Sequence, residues 1–404
     1  MTHRARVLQI GERDGLVAEM EAIGVDNVAT GWLADRGRLL PVRLEDVDGR
    51  AAALLKQQML ALGADCAVHR GVAGFESEPR AAVLLGDVRT YRRLMERLEQ
   101  QPFGLAELAQ EVLRAIEAFE ARSRELDCAG LKLPLGERTL VMGIINLGPD
   151  SFSGDGLDGN LEDAIEQARG FVEAGADIID VGGESTRPGS EPVGVDEELE
   201  RALPVVAEIA EEFETVISID TSKPEVAEMA VAAGARMIND VTGLGSAQMV
   251  DCVARSGVAA CAMHMKGTPR EMQQDPAYED MMSEVYGLLA SRIDAAVAAG
   301  VERDRLLVDP GFGFGKTVDQ NLEMLARLRE FRSLGVGVMI GTSRKSTIGK
   351  VLDRPVEERL MGTAATCAIA IANGADIIRV HDVAEMAQVA RMTDAIVRGW
   401  QDEP

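Results

Sequence analysis

Ten side chains able to do chemistry stand at the ends of apolar runs. Asn146 follows Leu140–Ile145, Asp220 follows Val216–Ile219, and Asn239 follows Met237 and Ile238. His264 ends Val258–Met263, and Asp309 ends Leu306–Val308. Thr186 and Arg187 lie beyond Ile178–Val181, and Lys345 lies beyond Val338–Ile340. Arg379 and His381 stand at the end of Ile377–Val380. A carboxylate or amide at the end of a buried strand is costly unless a neighbour or ligand satisfies it. Asp220, Asn239 and Asp309 together suit the edge of a flat, donor-rich heterocycle. Arg379 and His381 are two residues apart, so on a strand they point the same way. Two donors there suit a phosphate or pyrophosphate. Asn146, a neutral oxygen ligand, suits a hard Mg²⁺ ion that bridges phosphates. Taken singly, Asp220, Asn239 and Asp309 have a plainer reading as caps for neighbouring rim loops; for His381 it is a structural hydrogen bond to Asp382 or a loop.

The elements that must position these residues are legible from pattern. Thr139–Phe152, TLVMGIINLGPDSF, is apolar without alternation and then breaks into turn residues, as suits a strand buried on both faces. Seven further runs repeat this plan, giving eight strands. Helical patterns between them cover 161–174, 196–213, 224–233, 247–256, 278–299, 318–332, 356–372 and 383–397. A recurring Gly-Ala phrase at Gly175, Gly234 and Gly374 marks helix ends that lead into strands. Eight such units over about 260 residues predict an α/β fold, a closed (β/α)₈ TIM barrel, with a doubly wound sheet as the alternative. In a barrel every strand's carboxyl end opens on one rim, so the ten side chains meet there. Gly182–Gly183 and Gly311–Gly315 match neither a dinucleotide fingerprint nor a phosphate loop. Lys316, after the second, reads as structural or solvent-facing.

Residues 1–125 predict a separate small α/β domain. Its candidate strands are 7–10, 39–44, 64–68 and 81–85, with helices over 15–23, 50–62, 90–98 and 105–124. It gathers no reactive side chains, and His69 reads as surface or structural. Residues 126–138 form a connector or opening hairpin, and 139–399 the barrel. The net charge of -25 argues against a nucleic-acid surface. Five cysteines without close pairing point to isolated buried thiols. With no basic-plus-apolar leader and no 18-residue apolar span, a cytoplasmic, non-membrane protein is expected.

Residues from about 132 to 398 resemble dihydropteroate synthase, a folate-pathway TIM-barrel family. The resemblance is carried by 142–153 (MGIINLGPDSFS), 180–189 (DVGGESTRPG), 217–227 (ISIDTSKPEVA) and 238–243 (INDVTG). It continues through 263–273 (MHMKGTPREMQ), 309–317 (DPGFGFGKT), 341–346 (GTSRKS) and 379–383 (RVHDV). It implies condensation of 6-hydroxymethyl-7,8-dihydropterin pyrophosphate with 4-aminobenzoate, by dissociative substitution without a covalent enzyme intermediate. By the same resemblance Asp220, Asn239, Asp309, Lys345 and Met263 bind the pterin. Asn146, Arg379 and His381 hold pyrophosphate, with Asn146 on Mg²⁺. Thr186, Arg187, Pro188, Ser346, Phe152 and Phe314 border aminobenzoate. Asp150 orders the first loop, whose glycines would let it close after pyrophosphate binds. A homodimer through barrel helices is also implied.

Two departures from the family pattern stand out. Gly148 occupies the place of a Thr, and 151–156 reads SFSGDG where SFSDGG is usual. The other is the N-terminal extension, for which packing, oligomerisation or regulation are the candidate roles. A pterin-binding paralogue with weak or no turnover, or a methyltetrahydrofolate-dependent methyltransferase, are the alternatives. The second gives no reason for the Thr186–Pro188 loop.

Overall fold

The structure is a computed structural model; it describes residues 5–8, 10, 12–74, 76–148, 160–184, 193–267, 272 and 276–400. Two compact units divide the chain, Met1–Glu117 and Ala118–Pro404.

The first unit runs α1 (Arg13–Ala22), α2 (Asn27–Arg36), β1 (Leu40–Val47), α3 (Gly49–Ala61), β2 (Asp65–Val68), β3 (Arg80–Gly86), α4 (Val88–Leu98) and α5 (Leu105–Glu120). Its sheet is antiparallel in the order β1-β3-β2. Asp48 and Asp87 cap α3 and α4 by accepting the N–H groups of Arg50 and Thr90. Tyr91, Leu94 and Leu98, spaced for one helix face, are buried with Leu55, Met59 and Leu84. The Tyr91 phenol accepts from Gly86 N–H at 3.1 Å and donates to the Leu40 carbonyl, so burial leaves it satisfied. Two expectations need correction, and one element is additional. Val7, Leu8 and Ile10 lie outside any strand, and Val7 is 99% exposed. Helix α2 was not foreseen, because only Thr30 and Ala34 of it are buried and its apolar spacing is weak. The helix expected to reach Arg124 stops at Glu120, since Arg124 opens a strand and donates to the Val336 carbonyl at 2.8 Å.

In the second unit β4 (Arg124–Cys128) and β5 (Leu131–Leu135) form a hairpin. Its two turn residues, Ala129 and Gly130, both have positive φ, the geometry of a tight hairpin turn. Eight parallel strands then close into a barrel: β6 (Leu140–Asn146), β7 (Ile178–Gly182), β8 (Val216–Asp220), β9 (Met237–Asp240), β10 (Ala259–Met263), β11 (Leu306–Asp309), β12 (Gly337–Ile340) and β13 (Ile377–Val380). The outer helices are α6 (Leu161–Glu173), α7 (Val195–Glu212), α8 (Pro224–Ala232), α9 (Ala247–Ser256), α10 (Met281–Ala298), α11 (Val318–Ala326), α12 (Ser346–Leu352), α13 (Leu360–Ala372) and α14 (Val383–Val397). Helix α12 was not anticipated; it is seven residues long, too short to show a period. The pattern expected over 318–332 also divides, with a 3₁₀ turn at Leu328–Leu334 following α11.

Alternation along each strand builds two layers. Val141, Ile145, Ile179, Val181, Ile217, Ile219 and Ile238 face the helices in one large cluster. Leu140, Met142, Ile178, Val216, Met237, Leu307, Met339 and Ile377 fill the barrel's amino end, closed by Leu126, Cys128 and Leu135 of the hairpin. Fully burying such a side chain is worth about 1.5–3 kcal/mol, so these two layers hold the barrel. Polar residues follow toward the carboxyl ends. Register sets Asn146 beside Gly182, Gly182 beside Asp220, and Asp220 beside Asn239.

Candidate active site

The polar end of the barrel is organised around Arg379. From β13 its Nε donates to Asp180 Oδ2 at 2.6 Å, and its Nη2 donates to Asp220 Oδ2 at 2.8 Å. Asp180 sits in the middle of β7 and is wholly buried. The same Oδ2 accepts Asn239 Nδ2 at 3.1 Å. Strand ends β7, β8, β9 and β13 are thereby tied across the barrel by side chains. Oδ1 of Asp180 and Oδ1 of Asp220 are buried without a hydrogen-bond partner among the described residues. Burial raises the Asp220 carboxyl to about 7; Arg379 opposes that rise and the Asp180 carboxylate adds to it.

Asp309 ends β11, nearly buried, and its Oδ1 accepts Gly311 N–H at 2.7 Å. Burial raises its pKa against that hydrogen bond and the lysine charges nearby. Lys345, the N-cap residue of α12, has its Nζ 3.9 Å from the Phe314 ring centroid. Burial lowers its ammonium to about 8, opposed by Asp309. Met263 ends β10 and packs with Val241, Met272 and Phe314. Asn146 ends β6, half-buried at the mouth. Gly182 leaves room between two of these groups: a Cβ there would lie 3.6 Å from Asp220 Cβ and 4.0 Å from Asn146 Oδ1. His381 lies just past β13, with Nδ1 2.9 Å from Ser343 Oγ. Its neighbour Asp382 pairs instead with Arg344, whose Nε donates at 3.0 Å. Ser346 begins α12. Asp150, Phe152, Thr186, Arg187 and Pro188 lie outside the described residues, as does the rest of the first loop from 149 to 159.

Lys316 is not solvent-facing. It is 2% exposed, and its Nζ meets the Gly311 carbonyl at 2.9 Å, the Phe314 carbonyl at 3.2 Å and His264 Nδ1 at 3.0 Å. Three partners use the three donors of an ammonium. Burial lowers Lys316 to about 7 and His264 to about 3, so His264 is neutral, and its Nδ1 accepts where Lys316 keeps its ammonium. The pair staples the 311–315 turn. Gly311 has φ +72°, and a Cβ there would run into the His264 carbonyl, so the turn needs glycine.

Two contributors were not foreseen. Asp180 is one; a lone carboxylate within Ile178–Val181, two residues before Gly182, was its signal. Glu184 is the other. Its Oε1 accepts Val193 N–H at 3.2 Å, and Lys223 bridges it to the buried Glu198. The residues on either side of 185–192 are therefore joined at the base.

A family model for pterin binding enzymes matches residues 142–381. The dihydropteroate synthase of Escherichia coli (strain K12) is 47% identical over 263 residues, 65% of this chain and 93% of that protein. A probable bifunctional folylpolyglutamate synthase/dihydropteroate synthase of Halobacterium salinarum is 40% identical over 360 residues. That match takes in 88% of this chain and 43% of the other, so it runs past the second unit into the first. The crystal structure of Yersinia pestis dihydropteroate synthase with a sulfonamide drug complex superposes with a TM-score of 0.66 at 42% identity, over 68% of this chain and 99% of that one. Because the match spans nearly all of the E. coli enzyme and falls on the barrel whose mouth is described above, the chain belongs to the dihydropteroate synthase family, pterin-binding transferases of folate biosynthesis.

Proposed function

We propose a division of labour for dihydropteroate synthesis, the condensation of 6-hydroxymethyl-7,8-dihydropterin pyrophosphate with 4-aminobenzoate. Asp220, Asn239 and Asp309 take the donor edge of the pterin, and Lys345 its carbonyl and N5 side. Met263 lines the wall. Arg379, through the nitrogen not engaged by Asp180 and Asp220, joins His381 and Asn146 on the pyrophosphate. Phe314 and Ser346 border the aminobenzoate, with Thr186, Arg187, Pro188 and Phe152; Asp150 orders the first loop. The observation that supports this most is the Arg379 guanidinium held between Asp180 and Asp220, beside the amide of Asn239.

The chemistry follows from charge. Negative charge grows on the pyrophosphate as its bond to the exocyclic carbon lengthens. Fixed donors on Arg379 and His381 meet it without reorganising. The carbon turns cation-like and the amine of aminobenzoate attacks it, so no enzyme nucleophile is needed. Mg²⁺ would add neutralising charge on the pyrophosphate when bound. Asn146 would hold it, since a hard cation that keeps phosphate and water oxygens needs only one or two protein oxygens. Among the described residues no cluster of three acidic, His or Cys side chains offers a fuller cage.

The test is to follow dihydropteroate by mass in purified protein with both substrates and Mg²⁺. Product is expected, and excess chelator should slow it by about tenfold or more, with Mg²⁺ restoring the rate. An unchanged rate in chelator would remove the metal from this scheme.

A homodimer is part of the same reading. Met361 and Ile369 on α13 are 77% and 50% exposed, and Met392 and Ile396 on the adjoining α14 are 63% and 70% exposed. Large apolar side chains left exposed on neighbouring helices suit an interface. Sedimentation should give twice the chain mass of 43.3 kDa, and Ile369→Glu with Ile396→Glu should give monomer. A double variant that stays dimeric would place the interface elsewhere. Cytoplasmic residence is supported by five free, buried cysteines. No helix among the described residues is long and apolar enough to cross a membrane.

A further inference from the structure

We infer that Asp180 is a positioning residue of the pterin pocket, which fixes the atom that Asn239 offers to the ligand and the plane in which Arg379 lies. This rests on the pocket assignment proposed above. Asp180 lies in register with Ile144 on β6 and Ser218 on β8, two positions before Gly182 in its own strand. A carboxylate wholly removed from water there is unfavourable unless it is paired. Two donors converge on one of its oxygens, Arg379 Nε at 2.6 Å and Asn239 Nδ2 at 3.1 Å.

The consequence for Asn239 is chemical. The Asp180 oxygen that already accepts Arg379 Nε serves Asn239 as an acceptor too. Asn239 must therefore turn its NH₂ to Asp180, which leaves Oδ1 as its group for a ligand. An acceptor at that point favours a ring N–H or amino group and disfavours a carbonyl. Without Asp180 the amide is free to turn over and present either face. The consequence for Arg379 is geometric. Its Nε is anchored by Asp180 and its Nη2 by Asp220, so two points fix the planar guanidinium. Gly182, the next inward position after Asp180, has no side chain to fill the space beside Asp220 and Asn146. Asp180 thus acts through its neighbours and needs no contact with substrate.

The test uses the full-length chain and steady-state kinetics with both substrates. Asp180→Ala should raise the KM for pterin pyrophosphate about a hundredfold while the KM for aminobenzoate stays within about threefold. It should also lower the preference for the natural substrate over an analogue lacking the 2-amino group. A folded Asp180→Ala variant with unchanged pterin KM and unchanged preference, or with both KM values raised alike, would overturn the inference. If that variant does not fold, the exchange decides. Asn239→Asp sets two carboxylates against each other; adding Asp180→Asn restores a donor–acceptor pair of reversed sense. Recovery of pterin KM by about tenfold in the double variant supports the inference, and no recovery overturns it. Asp220→Asn serves as the control. Near-native pterin affinity there rejects the pocket itself, whereas a loss there with none in Asp180→Ala rejects only the role of Asp180.

Discussion

Replacing Arg379 with methionine is expected to destabilise the protein by about 3–5 kcal/mol and to lower turnover by about 10²–10³-fold. Methionine fills much of the same stem but removes the charge between Asp180 and Asp220. Two buried carboxyl groups are then left without the guanidinium between them, which is the costly way to break a buried ion network. The loss should depend on pH. In the native protein the Asp220 carboxyl is already raised to about 7 by burial, and Arg379 is the first group opposing that rise. The variant should therefore carry a still higher value. A carboxyl raised above its unfolded value holds a proton in the folded state that the unfolded chain releases, so it opposes folding as pH rises. Below about 7 the folded forms of both proteins keep Asp220 protonated, and its share of the gap is small. Above about 7 only the variant keeps the proton, so the gap opens. Urea unfolding at pH 5.5 and pH 8.5 measures this. A gap that is equal at the two values, or below about 1 kcal/mol at both, would mean that Arg379 does not compensate these carboxylates.

This network also marks where sequence reading reaches its limit. The rim itself was legible. A parallel barrel needs strands buried on both faces, and those leave unbroken apolar runs that stop at Asn146, Asp220, Asn239 and Asp309. Each such end is a local signal. Arg379 lies 159 positions from Asp220 and 199 from Asp180, so its pairing with them depends on barrel closure and stagger. Asp180 was hidden for a related reason. It lies inside a run that reads as core, and only the register turns it toward Arg379 and Asn239. Lys316 looked like a charge beside a glycine turn; its three partners appear only once the turn folds over His264. In the first unit the pattern marked helices over 90–98 and 105–124, found at 88–98 and 105–120, while α2, with two buried residues, carried almost no pattern.

Lys345 gives the second large effect, and its sign follows from burial. Lys345→Ala should weaken pterin pyrophosphate binding by about 10–150-fold, the range for a hydrogen bond to a charged group. The intact protein should show a bell-shaped pH profile for kcat/KM of the pterin substrate, which reports groups on the free enzyme. The acid limb falls near 7, where Asp220 must ionise to accept from the ligand. The alkaline limb falls near 8, because burial lowers the Lys345 ammonium to about that value and it is neutral above it. Limbs so close together predict a narrow optimum. Arginine separates charge from the ability to titrate, since its guanidinium stays protonated throughout this range. Lys345→Arg should therefore lose affinity through its altered shape yet lose the alkaline limb as well. An alkaline limb that stays near 8 in Lys345→Arg would assign that titration to another group, with Lys316, more deeply buried and lowered to about 7, the first to examine. Stability gives an independent check on the sign. A lysine whose folded value is lowered binds fewer protons folded than unfolded between about 8 and 10.5, so it favours folding as pH rises through that window. Lys345→Ala should remove that gain, and unfolding curves at pH 8 and pH 10 should then lie closer together than those of the unaltered chain.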